Sequence, residues 1–362
     1  MFNFLTLKPI AFGLDISDLS LKIVQLKKKG RFFDLTSFGE TRIKPGIIER
    51  GEIKNEKMLA EEIKKAVKDI RGEKIKTKYV VISLPEEKAF LQVIQLPFMK
   101  EGEAKKAVYF EAENYIPLPI DKVYLDSQII SYDTRAQKLN VLIVALPKTT
   151  IDPYINSLKA AGLRPLSLEI ESMSISRALV KERLTYRPLL LMDLGENRTG
   201  FSLFFDSSLR FTTTSQISAK SFSEIIADNL KVSFKQAEAL KIENGIGQGG
   251  RGRKMAEILS QELTQLVMLA RKYVNYCEKQ YNQKVDKILL CGGGANLKGL
   301  VSFLSQQLQM PVELGNPWIN ILPASPAGGS DQSKRKTIKH LSYEESLRYT
   351  TALGLALRGA KT

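Results

Sequence analysis

Two aspartates, Asp15 and Asp193, each end a short apolar run and open a turn of small and polar residues, and a second apolar run follows each turn. The first copy reads Phe12-Gly13-Leu14-Asp15-Ile16-Ser17-Asp18-Leu19-Ser20 and continues to Leu26; the second reads Leu190-Leu191-Met192-Asp193-Leu194-Gly195-Glu196-Asn197-Arg198-Thr199-Gly200 and continues to Phe205. A carboxylate beside a turn whose backbone N–H groups face outwards suits a magnesium–phosphate group: the amides take phosphate oxygens and the carboxylate takes the metal, directly or through water. Gly195 allows close approach of a phosphate to the backbone, and Ser17 stands in the equivalent place of the first copy with a hydroxyl to offer. Asp in a β-turn is common, so one copy says little; two copies, each opening its own half of the chain, say much more. Gly292-Gly293-Gly294, after a buried apolar run, either lets a flat ring lie against the backbone with a helix N-terminus aimed at it, or makes a tight strand-to-helix turn. Glu238 and Lys241 are three apart and share a helix face; they either bond a ribose and a base or phosphate, or pair with one another on the surface.

The elements that must position these residues follow from periodicity. Strands are expected at about 11–16, 21–27, 32–38 and 79–84, with an amphipathic helix over 56–71. Residues 86–165 read as strand, helix, strand, strand, helix, which is enough for a small α+β subdomain inserted into the first lobe. A strand at 166–170 then leads to a helix starting near Glu171. The second hairpin is followed by helices over 219–231, 234–243 and 253–281, with a flexible glycine-rich loop at 245–252. A strand at 287–291 feeds the glycines and a helix over 296–308; a long, partly mobile connection at 315–342 precedes a last helix over 344–357.

Composition narrows the chemistry. A chain of 362 residues with 43% hydrophobic and 26% charged content suits two soluble lobes, and no apolar run approaches the length needed to span a bilayer. Residues 1–8 lack a secretory pattern and read as a flanking segment or first strand, with contact to a membrane surface or a partner as the alternative. Cys277 and Cys291 form no disulfide framework, which fits a reducing cytoplasm. The single His340, read as a solvated loop residue, rules out histidine-rich metal sites and makes a Ser-His-Asp triad improbable. The net charge of +15 favours anionic partners, but runs such as Lys27-Lys28-Lys29 and Lys334-Arg335-Lys336 carry no nucleic-acid signature and read as solvated surface, with attraction to an anionic membrane face as the alternative.

In chain order these pieces resemble the actin-like ATPase superfamily and, within it, the PilM family of type IV pilus assembly proteins, related to the cell-division protein FtsA. The resemblance implies an α/β, two-lobed actin-like fold of duplicated ribonuclease H-like cores with an inserted α+β 1C subdomain. It implies a first-lobe core at 1–85 and 166–187, the 1C insertion at 86–165, a second-lobe core at 188–218 and 286–343, a helical subdomain at 219–285 and a hinge-crossing helix at 344–362. By the same resemblance ATP and Mg2+ are bound between the lobes. Asp15, Ser17 and Lys22 look like the first phosphate motif, Asp193, Gly195 and Thr199 like the second, Gly292, Gly293 and Gly294 like the adenosine motif, and Glu238 and Lys241 like the nucleotide-contacting helix, with Asp15 and Asp193 on the magnesium. The family usually has Gly where this chain has Ser17 and Thr where it has Arg198. The implied role is a cytoplasmic scaffold whose nucleotide sets the angle between lobes, with slow or absent turnover. The implied partner is the N-terminal tail of the inner-membrane protein PilN, held in a groove to which Leu96, Pro97, Phe98, Tyr115 and Pro117 contribute; membrane association is then indirect. A division protein of the FtsA kind would carry a C-terminal amphipathic helix after a linker, a sugar or acetate kinase larger insertions and an acidic base, and a nucleotide-free adaptor only the fold.

Overall fold

In the computed structural model, which describes residues 9–133, 137–181, 187–247, 249–322 and 341–361, the run ending at Asp15 forms β1 (Phe12–Ile16), buried along its whole length. The chain turns into β2 (Ser20–Lys29) and β3 (Phe32–Arg42) as an antiparallel meander. The short hairpin β4 (Ile48–Glu49) and β5 (Glu52–Ile53) leads to α1 (Glu56–Lys68), which Asn55 caps by accepting the Met58 N–H at 2.9 Å and which buries Leu59, Ala60, Ile63 and Ala66. After the two-residue β6 (Arg71–Gly72), strand β7 (Tyr79–Leu84) pairs parallel with β1.

The insertion follows as β8 (Phe90–Pro97), α2 (Glu101–Glu111), β9 (Val123–Asp133), β10 (Lys138–Pro147) and α3 (Lys148–Ala160). Its three strands form a separate antiparallel sheet, order β8-β10-β9. A core of its own lies under α2, built by Ile94, Leu96, Ala104, Val108, Ala112, Val123, Leu139, Val141 and Ile143. The chain then returns to the first sheet as β11 (Arg164–Ile170), parallel to β7, and enters α4 (Glu171–Leu179). The C-terminal helix, Thr350–Lys361, packs on β1, β2, β7 and α4. That approach admits no side chain at two points: a Cβ on Gly13 would stand 2.5 Å from the Ala352 carbonyl oxygen, and one on Gly354 would stand 1.9 Å from that of Ser174. Glu169, 2% exposed at its side chain, accepts from both Arg177 and Arg358 and so ties β11, α4 and this helix together.

The second run repeats the plan. Strands β12 (Leu189–Leu194), β13 (Thr199–Phe205) and β14 (Ser208–Ser215) make the same antiparallel meander. Helices α5 (Ala219–Leu230), α6 (Phe234–Asn244), α7 (Gly250–Ile258) and α8 (Ser260–Tyr281) follow, then β15 (Lys287–Cys291), α9 (Leu300–Leu308), β16 (Val312–Leu314) and the short α10 (Tyr343–Leu347). The first sheet runs β11-β7-β1-β2-β3-β6 and this one β16-β15-β12-β13-β14, so apart from β6 the strand order and directions coincide. Even the irregularity repeats: β3 and β14 each carry a bulge against the middle strand, at Gln25/Leu26 and Leu203/Phe204. The chain thus divides into two compact units, one holding residues up to 181 with 317–322 and 349–361, the other 187–316 and 341–348, as far as they are described. The architecture is a mixed α/β duplication, as the two sheets of one strand order show.

Several elements differ from expectation. The helix expected over 253–281 is two, broken at Leu259, whose fully buried side chain turns into the second unit's core with Met255 and Leu263. The loop expected to reach 252 stops at α7, which starts at Gly250. The glycines lead into a single 3-10 turn, Gly293–Asn296, and the α-helix begins only at Leu300, because Gly299 at φ +85° resets the chain. The last helix is also two, interrupted after α10. Residues 1–8, His340, Lys334-Arg335-Lys336 and most of the connection expected at 315–342 lie outside the described residues.

Candidate functional site

Antiparallel register places Lys22 directly opposite Asp15, so both side chains leave the sheet on one face. Lys22 Nζ lies 3.7 Å from Asp15 Oδ2 and donates to Ser20 Oγ at 3.0 Å. Parallel register with β7 sets Ser83 beside Asp15 from the other side. Its hydroxyl donates to Asp15 Oδ1 at 2.9 Å and accepts the Ile16 N–H at 3.1 Å. Asp15 is itself only 7% exposed. Ser17 holds the turn closed: its N–H and its hydroxyl both donate to the Ser20 carbonyl at 3.0 Å, and its Oγ accepts the Ser20 N–H at 3.2 Å. Its φ is not positive, so the turn has no need of glycine here. Asp18 Oδ1 accepts the Gly51 N–H at 3.0 Å and ties the turn to the β4–β5 hairpin.

In the second hairpin the Gly195 N–H donates inside the turn, to the Asp193 and Arg198 carbonyls at 3.1 and 2.9 Å. The Gly195 and Glu196 carbonyls accept the Ala219 and Lys220 N–H groups at 3.0 Å, so the turn sits on the first turn of α5. Thr199 differs from its expected place at the nucleotide. It is fully buried and donates to the Ile217 carbonyl at 2.7 Å, supporting the hairpin from within.

Gly292 passes over Asp193 at φ +82°: a Cβ there would stand 2.3 Å from Asp193 Oδ1. Gly294 lies as close to Leu194, 2.5 Å from its Cγ. Gly293 is different, exposed and with nothing nearer its Cβ position than Arg348 Cβ at 3.9 Å. Two of the three glycines are therefore demanded by β12, and one leaves its face open.

Lys241 also departs from expectation. Its ammonium is buried between α5 and α6 and spends its three N–H donors on the Ala219 carbonyl (2.6 Å), Ser223 Oγ (2.7 Å) and Glu238 Oε2 (2.8 Å). Ser223 donates to the same Glu238 oxygen. Lys241 thus fixes Glu238, whose side chain is 41% exposed, rather than facing a ligand itself.

Among the described residues no group of three or more His, Cys, Asp or Glu could hold a metal ion. Magnesium is ordinarily held by one or two carboxylates with phosphate oxygens completing the shell, and Asp15 and Asp193 are hard oxygen donors of that kind. Ser83 escaped the sequence reading. Its one signal is a hydroxyl inside an otherwise apolar strand, Tyr79-Val80-Val81-Ile82-Ser83-Leu84, where a fully buried O–H needs a partner.

On the inserted subdomain, Phe98 is 63% and Tyr115 49% exposed, and Pro97 and Pro117 are exposed. Leu96 is not: at 2% exposure it belongs to the subdomain core, because β8 alternates and Leu96 points under α2. Sequence reasoning missed Tyr132, whose ring lies 6.2 Å from that of Phe98, and the exposed pair Tyr109 and Phe110 on α2. All of these exposed aromatics lie on the inserted subdomain.

Comparison with known proteins agrees with this architecture. The chain is 22% identical over 347 residues to the cell division protein FtsA of Enterococcus hirae, covering 84% of this chain and 78% of that protein. The solved PilM–PilN type IV pilus biogenesis complex matches at a TM-score of 0.81 and 26% identity, covering 98% of this chain and 100% of that one. MreB5 of Spiroplasma citri bound to AMPPNP shares the fold at a TM-score of 0.53 and 11% identity, over 87% of this chain and 94% of that one. The family model for the type IV pilus assembly protein PilM matches residues 13–360, and the chain belongs to that family.

Proposed function

We propose that the protein is a magnesium–ATP-binding scaffold of type IV pilus assembly that grips the short cytoplasmic tail of a PilN-type inner-membrane protein. The observation that carries the nucleotide part is the repeated hairpin: two sheets of one strand order, each with an aspartate at the carboxyl end of its central strand. In this reading Asp15 and Asp193 hold the magnesium, directly or through water, and the metal neutralises phosphate charge when bound. Lys22 turns from Asp15 to a phosphate, Ser17 keeps the first turn closed beneath it, Gly195 shapes the second, and Glu238 takes a ribose hydroxyl. Gly293 offers its open face to the base, with Gly292 and Gly294 holding that backbone against β12. A nucleotide engaging both hairpins would bias the angle between the units, since binding shifts an equilibrium only through unequal contacts in its two states. Membrane association we assign to the PilN-type partner; no helix among the described residues is long and apolar enough to cross a membrane.

The test is calorimetric titration of nucleotide-stripped protein with ATP and magnesium. Asp15→Ala should weaken affinity at least tenfold, about 1.4 kcal/mol, with the fold intact by circular dichroism; an unchanged affinity would remove Asp15 from the site. For the partner, titration with a PilN-type tail peptide should show weaker binding by Phe98→Ala and by Tyr115→Ala, each by about 1–2 kcal/mol as an exposed aromatic anchor. Undiminished binding by both would move the groove elsewhere.

A further inference from the structure

The Asp15 carboxylate is held by a residue 68 positions away in sequence, and the way it is held bears on which of its oxygens is available. Ser83 is fully buried as the penultimate residue of β7. The pairing Phe12 with Val80, Gly13 with Val81 and Leu14 with Ile82 carries forward to set Ser83 alongside Asp15. The Ile16 N–H can only donate, so Ser83 Oγ accepts there, and the single hydroxyl proton of the serine goes to Asp15 Oδ1. One carboxylate oxygen is thereby committed and the plane of the carboxylate is fixed. The other oxygen, Oδ2, faces Lys22 Nζ at 3.7 Å, beyond hydrogen-bond distance, while the ammonium's 3.0 Å bond goes to Ser20. Lys22 is therefore a nearby counter-charge for Oδ2 and not its bonded partner, and a divalent cation competes for that oxygen without breaking a hydrogen bond.

We infer that Ser83 is the positioning residue of the magnesium–nucleotide site: by taking Asp15 Oδ1 it presents Oδ2 to the metal. The inference rests on the nucleotide reading above. A purely architectural Ser83 would serve only to satisfy the Ile16 N–H, and the two roles separate by their dependence on magnesium.

The experiment measures ATP affinity of the full chain by calorimetry, with magnesium and with excess chelator, for the wild type, Ser83→Ala, Ser83→Thr and Asp15→Ala. The readout is the ratio of the two dissociation constants. In Ser83→Ala the magnesium enhancement should fall by about tenfold, with the magnesium-free affinity within about twofold of wild type. Ser83→Thr, which keeps the hydroxyl, should restore most of the enhancement. Equal losses with and without magnesium, or an enhancement unchanged in Ser83→Ala but abolished in Asp15→Ala, would overturn the inference while leaving the site intact. An enhancement unchanged in Asp15→Ala as well would overturn the site, and the inference with it. If Ser83→Ala does not fold, Ser83→Cys, with its weaker S–H donor, takes its place, and a lowered enhancement is again required.

Discussion

At Gly292, Gly293 and Gly294 one residue type meets two separate demands. Gly292 and Gly294 are held by the backbone and side chains of β12, whereas Gly293 has space over its Cα and is exposed. Gly292→Ala should cost more than about 2 kcal/mol, since left-handed strain adds to a clash with Asp193. Gly293→Ala should shift stability by no more than about 0.5 kcal/mol, as an unhindered surface change does, yet weaken ATP roughly tenfold. Chemical denaturation and calorimetry on the two variants check both halves. Equal destabilisation, or full ATP affinity in Gly293→Ala, would break the division. The same contrast explains what could be read beforehand. Asp15 and Asp193 stand out because a carboxylate ending an apolar run is conspicuous in one dimension. Ser83 does not, because its meaning lies in a pairing between β1 and β7 that no local pattern contains.

Among elements, the α5–α6 pair shows how burial changes a residue's role. A lysine three positions from a glutamate on a helix reads as a ligand contact or, on spacing alone, as a surface ion pair; Lys241 does pair with Glu238, at 2.8 Å, but with its ammonium buried. The ammonium reaches back across α5 to a helical carbonyl and a serine, a contact set by the packing of two helices and therefore invisible in the spacing alone. Lys241→Met, close in volume, should cost about 1–3 kcal/mol, because the Ala219 and Ser223 oxygens stay buried while Glu238 turns to water. It should also weaken ATP by freeing Glu238. Guanidinium denaturation and calorimetry test the two effects, and unchanged stability would show that the three bonds are not made in solution. Strands such as β1, β7, β12 and β15 were legible, since they are short apolar runs closed by turn residues, whereas the polar β14 and the short β4, β5, β6 and β16 were not. The break at Leu259 was not, because apolar positions keep helical spacing through it and only the three-dimensional core asks for the bend.

Across the whole molecule the repeated strand order gives each unit its own interior, and the second places a thiol and a phenol in one. Cys277 is fully buried beside Phe205, Tyr276 and Tyr281, and burial, with the neighbouring Glu278 charge, pushes its thiol up to about 11 from an ordinary 9.0. Tyr281 is raised as well, chiefly by burial. Below pH 9.0 both folded and unfolded chains keep the Cys277 proton and the contribution is constant. Between 9.0 and about 11 the unfolded thiol ionises while the folded one does not, so the folded state binds more protons and stability falls as pH rises. Denaturation midpoints taken across that range should drop more steeply in wild type than in Cys277→Ala. Parallel slopes would mean that the thiol ionises alike in both states.

The helix Thr350–Lys361 lies against β1, with the Ala11 N–H donating to the Gly359 carbonyl at 3.2 Å and Gly13 open to Ala352. In translation β1 emerges before this helix, with residues 187–316 of the second unit between them. The first unit must therefore wait, its central sheet uncovered on one side, until this helix has emerged, while the bulk of the second unit can close earlier. The usual order in which nascent domains mature, front to back, is inverted here, and the waiting sheet is the stage of biosynthesis at which this protein most needs a chaperone.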